Sequence, residues 1–190
     1  NIGECGAFFL FESLEGAKAR GARILGEIAG YALGNDAYHI TSPRPDGEGA
    51  YRVMQDALKD AGITPADIGC INAHGTGTLA NDAMEMKALE KLFGDVGHEI
   101  ALSSTKALLG HCMGASGAIE LASVLLSLTE QKYIPMPRLA TRIGDAQNLR
   151  LSDESFTLDA EYAIKNSFAF SGNSAALVVR RYEKGKERAV

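Results

Sequence analysis

The amino-acid sequence predicts a single α/β domain, and three observations lead to that prediction. Its 190 residues are 46% hydrophobic and 23% charged, which is a globular composition in a chain long enough for one real core. Short apolar strands alternate along the chain with amphipathic helices. A glycine-rich segment, residues 74–78, lies between one strand and one helix, an arrangement typical of an α/β unit with its chemistry at the strand's carboxyl end.

The first quarter of the chain predicts two strands, a short helix and a loop. Residues 6–11 form an apolar, aromatic run and predict a buried strand. Residues 14–20 are helix-forming and stop at Gly21, and residues 24–32 return to a strand-like mixture of Ile, Leu and Tyr. Residues 35–49 carry Gly, Asp, Asn, Ser and two Pro, and therefore predict a long loop.

The middle of the chain predicts two helices around a strand. Apolar side chains recur at helical spacing over residues 50–61, which predicts a helix. Residues 64–67 place a threonine cap before a proline and predict one short turn. An apolar strand is expected over residues 70–73, and a second helix over residues 82–93.

The longest apolar stretch, residues 107–128, follows a short predicted strand at residues 100–102. It has nearly the length of a membrane span. His111 and Glu120 near its middle, together with many small residues, favour a buried, tightly packed core helix instead. A membrane helix stays as the alternative.

The last third of the chain predicts a loop and two further strands. Residues 138–159 are loop-rich. Residues 163–170 and 175–182 alternate as strands around a turn, and residues 183–188 predict a solvated tail.

Charge and cysteine content restrict the partners. The net charge is −5, so we expect no nucleic acid and no anionic membrane as a partner. Cys5, Cys70 and Cys112 lie far apart without a CxxC pair, which disfavours a disulfide framework and fits a reducing cytoplasm. Because the chain opens at Asn1 rather than Met and soon runs into an apolar stretch, we expect the start to be artificial: a fragment, a cut or a processed product.

Two histidines have unusual settings. His74 precedes glycines that let the backbone approach a ligand closely, and His111 follows a glycine near the mouth of the long apolar stretch. Lys106 at that mouth needs a counter-charge if it is buried, and Glu120 is the candidate. Two alternatives stay open: His74 satisfies a local carbonyl in an ordinary turn, and Lys106 reaches water while Glu120 is exposed.

The remaining polar motifs have simpler interpretations. Asp82 and Glu85 stand three apart at the start of a predicted helix, where we expect them to cap the helix or complement its dipole. No pair among the histidines and cysteines has a zinc-site spacing, so no metal is expected.

Several motifs then form a recognisable set. Residues 72–78 read Asn-Ala-His-Gly-Thr-Gly-Thr, with Asn-Asp at 81–82. Residues 104–106 read Ser-Thr-Lys, residues 110–120 carry Gly-His and several small residues before Glu, and residues 166–168 read Asn-Ser-Phe. In order and spacing this set resembles the C-terminal half of a β-ketoacyl-[acyl carrier protein] synthase, over essentially the whole chain.

The resemblance implies a fold and an incomplete enzyme. The fold is α/β and thiolase-like, the C-terminal half having a mixed sheet with helices on both faces and one buried helix. Residues 1–190 are then one half of a two-half protein, and the half with the nucleophilic cysteine is absent from this chain. In the family, that cysteine carries the acyl chain while two histidines assist decarboxylation of malonyl-carrier protein.

The resemblance also assigns roles to residues. His74 and His111 are the two histidines, whose N–H donors would stabilise the enolate that forms as carbon dioxide leaves. Lys106 and Glu120 support the site. Asp82 matches the family's loop carboxylate.

Substrate-binding residues follow in the same way. Thr76 and Thr78 match residues that bind the phosphopantetheine arm, and Phe168 and Phe170 match the loop that gates the acyl pocket. In the family that loop reads Phe-Gly-Phe-Gly-Gly-Thr-Asn, whereas residues 168–174 read Phe-Ala-Phe-Ser-Gly-Asn-Ser. Side chains at two glycine positions should stiffen the gate.

The implied activity is an acyltransferase reaction, the decarboxylative Claisen condensation of malonyl-carrier protein with an acyl thioester in fatty acid biosynthesis. Acyl carrier protein brings the substrates on phosphopantetheine, with no other cofactor, and the complete protein is expected to be a cytoplasmic homodimer. The changed gate keeps an alternative open, a non-catalytic partner resembling a chain-length factor in a heterodimeric ketosynthase.

Overall fold

The computed structural model describes residues 1–141 and 148–185, and this part of the chain contains five α-helices and six β-strands. The helices are α1 (Leu14–Ala19), α2 (Glu48–Ala61), α3 (Leu79–Phe93), α4 (Lys106–Leu109) and α5 (Ser116–Glu130). The strands are β1 (Glu27–Asn35), β2 (Ile68–Asn72), β3 (Ile100–Ser103), β4 (Leu149–Arg150), β5 (Tyr162–Phe168) and β6 (Asn173–Arg180).

The strands form one mixed sheet in the order β1-β6-β5-β2-β3-β4. β2 is parallel to both β3 and β5, and β4 continues this parallel part beside β3. β6 runs antiparallel to β1 and to β5. The carboxyl ends of β2, β3 and β5 therefore meet at one edge of the sheet, which is where α/β proteins place ligand sites.

Helices cover both faces of this sheet. α2 and α3 pack on the face that carries Ile71 and Ile164, and α5 packs on the face that carries Cys70 and Ala163. Successive side chains of a strand point to opposite faces, so neighbouring residues of β2 and β5 enter two different cores. The two cores fix the sheet edge between them.

Most predicted elements are found with small shifts of their ends. α2 and α3 begin slightly before the predicted helices, and α2 ends where Gly62 takes a left-handed φ of 64°. The predicted turn is a 3₁₀ helix, Pro65–Asp67. The loop predicted at residues 138–159 contains β4, while residues 142–147 and the tail from residue 186 lie outside the described residues.

The strand predicted at residues 6–11 is wrong. The segment is irregular, and Phe8, Leu10 and Phe11 are 103%, 77% and 66% exposed as whole residues. A strand needs a backbone partner as well as apolar side chains, and the edges of the sheet are formed by β1 and β4 instead. β1 itself starts three residues later than the strand predicted over residues 24–32.

The single helix predicted over residues 107–128 is also wrong. α4 ends at Leu109, Gly110 has φ 74° and ψ −179°, and a 3₁₀ turn, Met113–Ala115, precedes α5. In one continuous helix, Lys106 and Glu120 would stand about 21 Å apart along the axis. The break brings them into contact. Within the described residues, no helix is long and apolar enough to cross a membrane.

Candidate active site at the carboxyl edge of the sheet

The predicted site residues collect at the carboxyl edge of the parallel strands. His74 comes two residues after β2, and Lys106 begins α4 three residues after the end of β3. His111 lies in the break between α4 and α5. Phe168, the last residue of β5, is buried with its ring centroid 5.7 Å from that of His74.

The glycine loop after β2 is held by a buried carboxylate. Glu85 of α3 accepts hydrogen bonds from the backbone N–H of His74 at 2.8 Å and of Gly75 at 2.9 Å. Gly75 has a φ of +46°, and a Cβ there would stand 2.5 Å from the Cβ of Ser104, so only glycine fits. The loop is therefore locked to both α3 and the segment after β3.

Glu85 departs from the role that the sequence predicted. It was expected to act at the start of its helix, but its side chain is buried and turned to the loop after β2. Burial raises the pKa of Glu85, while the N–H donors of Gly75 and His74 act in the opposite direction. Asp82 remains in the first turn of α3 and accepts from the N–H of Gly77 at 3.2 Å.

Lys106 connects His74 to the buried carboxylate of Glu120. Its Nζ donates to the backbone oxygen of His74 at 2.5 Å, lies 3.3 Å from Nδ1 of the same residue, and donates to Oε1 of Glu120. Only 5% of the Lys106 side chain and 2% of the Glu120 side chain are exposed. The interpretation in which Lys106 reaches water is therefore wrong, and Glu120 is its counter-charge.

His111 is oriented by its own loop. Its Nδ1 accepts from the backbone N–H of Met113 at 3.2 Å and lies 2.9 Å from Oγ of Ser116. The His111 ring is edge-on to the His74 ring, with centroids 5.7 Å apart and an interplanar angle of 87°. The two imidazoles thus share one site although they come from separate segments of the chain.

The hydrogen bonds fix the tautomer of both rings. Each Nδ1 faces a group that can only donate, the ammonium of Lys106 for His74 and the N–H of Met113 for His111. Nδ1 is therefore unprotonated in both neutral rings, and Nε2 carries the proton. Burial, with the charges of Lys106, His111 and Lys165, lowers the pKa of His74 to about 3, and burial also lowers the pKa of His111.

A cavity of about 330 Å³ opens beside these groups. Lys106, His111, Thr76 and Asp82 are among the residues that line it. The hydroxyls of Thr76 and Thr78 lie 3.0 Å apart, and both residues stand in the loop that follows His74. Of the two residues predicted to bind the arm, Thr76 therefore lines the cavity, and Thr78 lies beside it.

Phe170 and the segment around it are arranged differently from Phe168. Phe170 is 73% exposed, unlike the buried Phe168. Ser171 has a left-handed φ of 63°, donates its N–H to the oxygen of Ile40, and accepts at its own carbonyl from the Asn35 side chain at 2.7 Å. This segment is tied to the loop after β1.

Sequence reasoning missed Glu85, Lys165 and Asn166 as members of the site. Lys165 Nζ lies 3.0 Å from Oε2 of Glu120, and Asn166 Nδ2 donates to Glu85 at 3.3 Å. A lysine and an asparagine inside an apolar strand pattern were the available signal. Among the described residues, no group of three or more His, Cys, Asp or Glu side chains is placed to hold a metal ion.

Comparison with known proteins decides the family. Residues 25–140, more than half of the chain, match the family described as beta-ketoacyl synthase, C-terminal domain. This chain belongs to that family. It is 43% identical over 182 residues to a 3-oxoacyl-[acyl-carrier-protein] synthase 2 of Staphylococcus aureus, an alignment that covers 96% of the chain and 44% of that relative.

Solved structures agree with the assignment to the β-ketoacyl synthases. A ketosynthase structure with a type II polyketide acyl-carrier protein superimposes with a TM-score of 0.85 at 35% identity, covering 90% of this chain and 42% of that one. A ketosynthase with its chain length factor from Xenorhabdus doucetiae gives 0.71 at 37% identity, covering 84% and 40%. The predicted thiolase-like C-terminal half is confirmed, and this β-ketoacyl synthase domain spans less than half the length of these proteins.

Proposed function

We propose that the chain is the C-terminal half of an enzyme that condenses malonyl-carrier protein with an acyl thioester, with loss of carbon dioxide. The observation that carries the proposal is the pair of imidazoles, which meet edge-on with both Nδ1 atoms occupied by donors. Two Nε2–H groups are then left for the same small region, as a developing oxyanion requires.

The proposed chemistry needs neutral rings. As carbon dioxide leaves the malonyl group, negative charge develops on the thioester oxygen, and His74 and His111 donate to it from Nε2. Since burial and nearby cations hold the pKa of His74 near 3, its ring stays neutral and keeps Nδ1 as an acceptor for Lys106. Donors fixed beforehand cost no reorganisation during the reaction.

The proposed substrates arrive on the phosphopantetheine arm of acyl carrier protein. The cavity beside His111 and the loop hydroxyls of Thr76 and Thr78 support this part of the proposal. One similar structure is described as a ketosynthase in complex with its acyl-carrier protein. The N-terminal half of the same protein would supply the nucleophilic cysteine, and the complete protein is proposed to be a cytoplasmic homodimer.

The test uses the complete protein with its N-terminal half. His74→Ala and His111→Ala should each lower the rate of malonyl decarboxylation and condensation by about 10²- to 10³-fold, the usual loss for one oxyanion donor. Acylation of the cysteine should persist, because that step precedes decarboxylation. His98→Ala is the control, since His98 lies exposed and bonds the backbone of Ile68 at the far end of β2. Unchanged turnover in both site variants would refute the proposal.

A second proposal, a chain-length-factor-like subunit, is favoured by the segment around Phe170. Ser171 occupies a left-handed conformation at a position where the related motif carries glycine. Mass spectrometry of the complete protein after incubation with an acyl-carrier thioester separates the two proposals. A covalent acyl adduct supports the enzyme, and its absence with binding of a ketosynthase subunit supports the non-catalytic partner.

A further inference from the structure

We propose that Lys165 is a positioning residue, which holds Glu120 so that Lys106 stays directed at Nδ1 of His74. The inference rests on the proposed function for its kinetic consequence. Its structural consequence, the tautomer of His74, can be measured whether or not the protein condenses thioesters.

Lys165 sits in β5 opposite Asn72 of β2, close to the strand end that leads to His74. Its side chain is 3% exposed and lies on the face that α5 covers. Its Nζ donates to Oγ of Ser167, two residues along the same strand face, and lies 3.0 Å from Oε2 of Glu120. The lysine is thus anchored from its own strand and contacts Oε2, whereas Lys106 contacts Oε1 of the same carboxylate.

The donors of Lys106 are fully used. An ammonium has three N–H groups. Those of Lys106 face Oε1 of Glu120, the backbone oxygen of His74 and Nδ1 of His74. The contact to Nδ1, at 3.3 Å, is the longest of these and is the one that a competing acceptor would displace first.

Lys165 prevents Oε2 of Glu120 from becoming such a competing acceptor. Oε2 of Glu120 is buried, and a buried carboxylate oxygen without a nearby cation or donor costs several kcal/mol. With Lys165 in place, this oxygen is balanced from the β5 side. Without it, Oε2 would turn to Lys106, the other ammonium within reach, and Nδ1 of His74 would lose its donor.

The charges around Lys165 agree with this role. Burial lowers the pKa of Lys165, Glu120 and Glu85 raise it, and Lys106 lowers it. Lys165 in turn helps to lower the pKa of His74, after burial, Lys106 and His111. The lysine therefore acts on His74 both through Glu120 and through its own charge.

The test is Lys165→Met in the complete protein labelled with ¹⁵N-histidine. In the wild type, the ¹⁵N shifts of His74, assigned with a His74→Ala sample, should show unprotonated Nδ1 and protonated Nε2. In Lys165→Met a substantial fraction of His74 should carry the proton on Nδ1. kcat should fall about 10- to 100-fold with little change in KM, because a misplacement of ~1 Å can cost about 10²-fold.

Matched variants separate positioning from a merely structural role. Lys59→Met makes the same chemical change at an exposed position of α2 and should alter neither readout. Lys165→Arg restores the cation and should return His74 to the Nε2-protonated form. If Lys165→Met does not fold, Lys165→Gln removes the charge without removing a donor and is expected to shift the tautomer in the same direction. An unchanged His74 tautomer in the folded variant overturns the inference, whatever the turnover.

Discussion

His74 and His111 present the same nitrogen to the same site, but the two regions of the molecule that hold them differ in kind. His74 is held by buried charges, from Lys106 to Glu120 and Lys165, which come from different elements. His111 is held by Met113 and Ser116, within five residues of its own position. One ring therefore depends on long-range packing, while the other depends on a local turn.

The difference teaches where each ring is vulnerable. Buried ion pairs are costly to break, because the surviving partner stays buried without compensation. A local turn offers more than one donor, so the loss of one side chain leaves the backbone donor in place. Variants in the charged cluster should thus have larger effects than variants in the His111 turn.

The largest effect is expected for Glu120→Gln. The amide keeps the shape of the carboxylate but leaves two buried ammonium groups, Lys106 and Lys165, without their shared counter-charge. The free energy of unfolding should fall by about 3–5 kcal/mol, measured by chemical denaturation of the complete protein. Glu130→Gln, at an exposed position of the same helix, should change it by less than about 0.5 kcal/mol. Equal effects of both variants would contradict the assignment of the cluster.

Lys106→Met should have the next largest effect, on turnover. It removes the donor to Nδ1 of His74 while Glu120 keeps its ion pair with Lys165. We expect a loss of about 10²-fold in kcat of the complete protein, the scale of a misplaced reacting group. Lys132→Met, at an exposed position, is the control. Wild-type kcat in Lys106→Met would show that the charged cluster does not orient the ring.

The next largest effect is expected in the pH dependence of the free energy of unfolding, to which the titration of His74 contributes. Its folded pKa of about 3 lies below the value of about 6.5 in an unfolded chain, so the unfolded state binds the proton first as pH falls. His74 then contributes stability that is complete above pH 6.5 and is lost as pH decreases toward 3. Between pH 8 and pH 5 the loss is about 2 kcal/mol.

The His74 contribution is isolated by difference. Unfolding free energies of the wild type and of His74→Gln should be compared at each pH, because other groups titrate in both proteins. The difference should shrink by about 2 kcal/mol from pH 8 to pH 5, since glutamine does not titrate. A constant difference would mean that the ring is not kept neutral by its surroundings.

The smallest effect is expected for Ser116→Ala. It removes the hydroxyl near Nδ1 of His111, but the N–H of Met113 still donates to that nitrogen. We expect kcat of the complete protein to fall by less than about 10-fold, the scale of one neutral hydrogen bond. Ser123→Ala, further along α5, serves as the control. Within the described residues, the Ser123 hydroxyl donates a hydrogen bond only to the backbone oxygen of Ile119 in the same helix. A loss as large as that of Lys106→Met would remove the contrast between the two rings.

The region of His74 is the one that sequence reasoning predicted well. Apolar residues ending at a glycine-rich segment and followed by a helix specify the strand, the loop and α3 through local patterns alone. Pairing of Lys106 with Glu120 was one of two alternatives left open by the sequence, argued from the cost of a buried ammonium, and it is the one found.

The region of His111 was predicted wrongly at the level of local structure. Continuous apolar character over residues 107–128 gave no signal for the break, because hydrophobicity alone does not distinguish a turn from a helix. Gly110 was the available signal for the break, because its φ of 74° is a conformation that glycine adopts readily. The predicted ion pair and the predicted continuous helix were incompatible over about 21 Å, and that conflict was a second indication of the break.

Local sequence patterns could not predict the contacts of Lys165 and Glu85. Their contacts join β5 to α5 and α3 to the loop after β2, over distances in sequence that no spacing rule covers. Alternation along β5 identifies which face Lys165 lies on only once the neighbouring strands are known.

The burial of Lys106, Glu120 and Lys165 has a consequence for the solution in which the protein works. Their side chains are 5% exposed or less, and dissolved salt screens exposed charges far more strongly than buried ones. The electrostatic attraction that orients the His74 ring is therefore nearly independent of ionic strength. Exposed ion pairs, such as Arg52 with Glu48, weaken as salt is added. The orientation of the His74 ring, in contrast, is set by the fold.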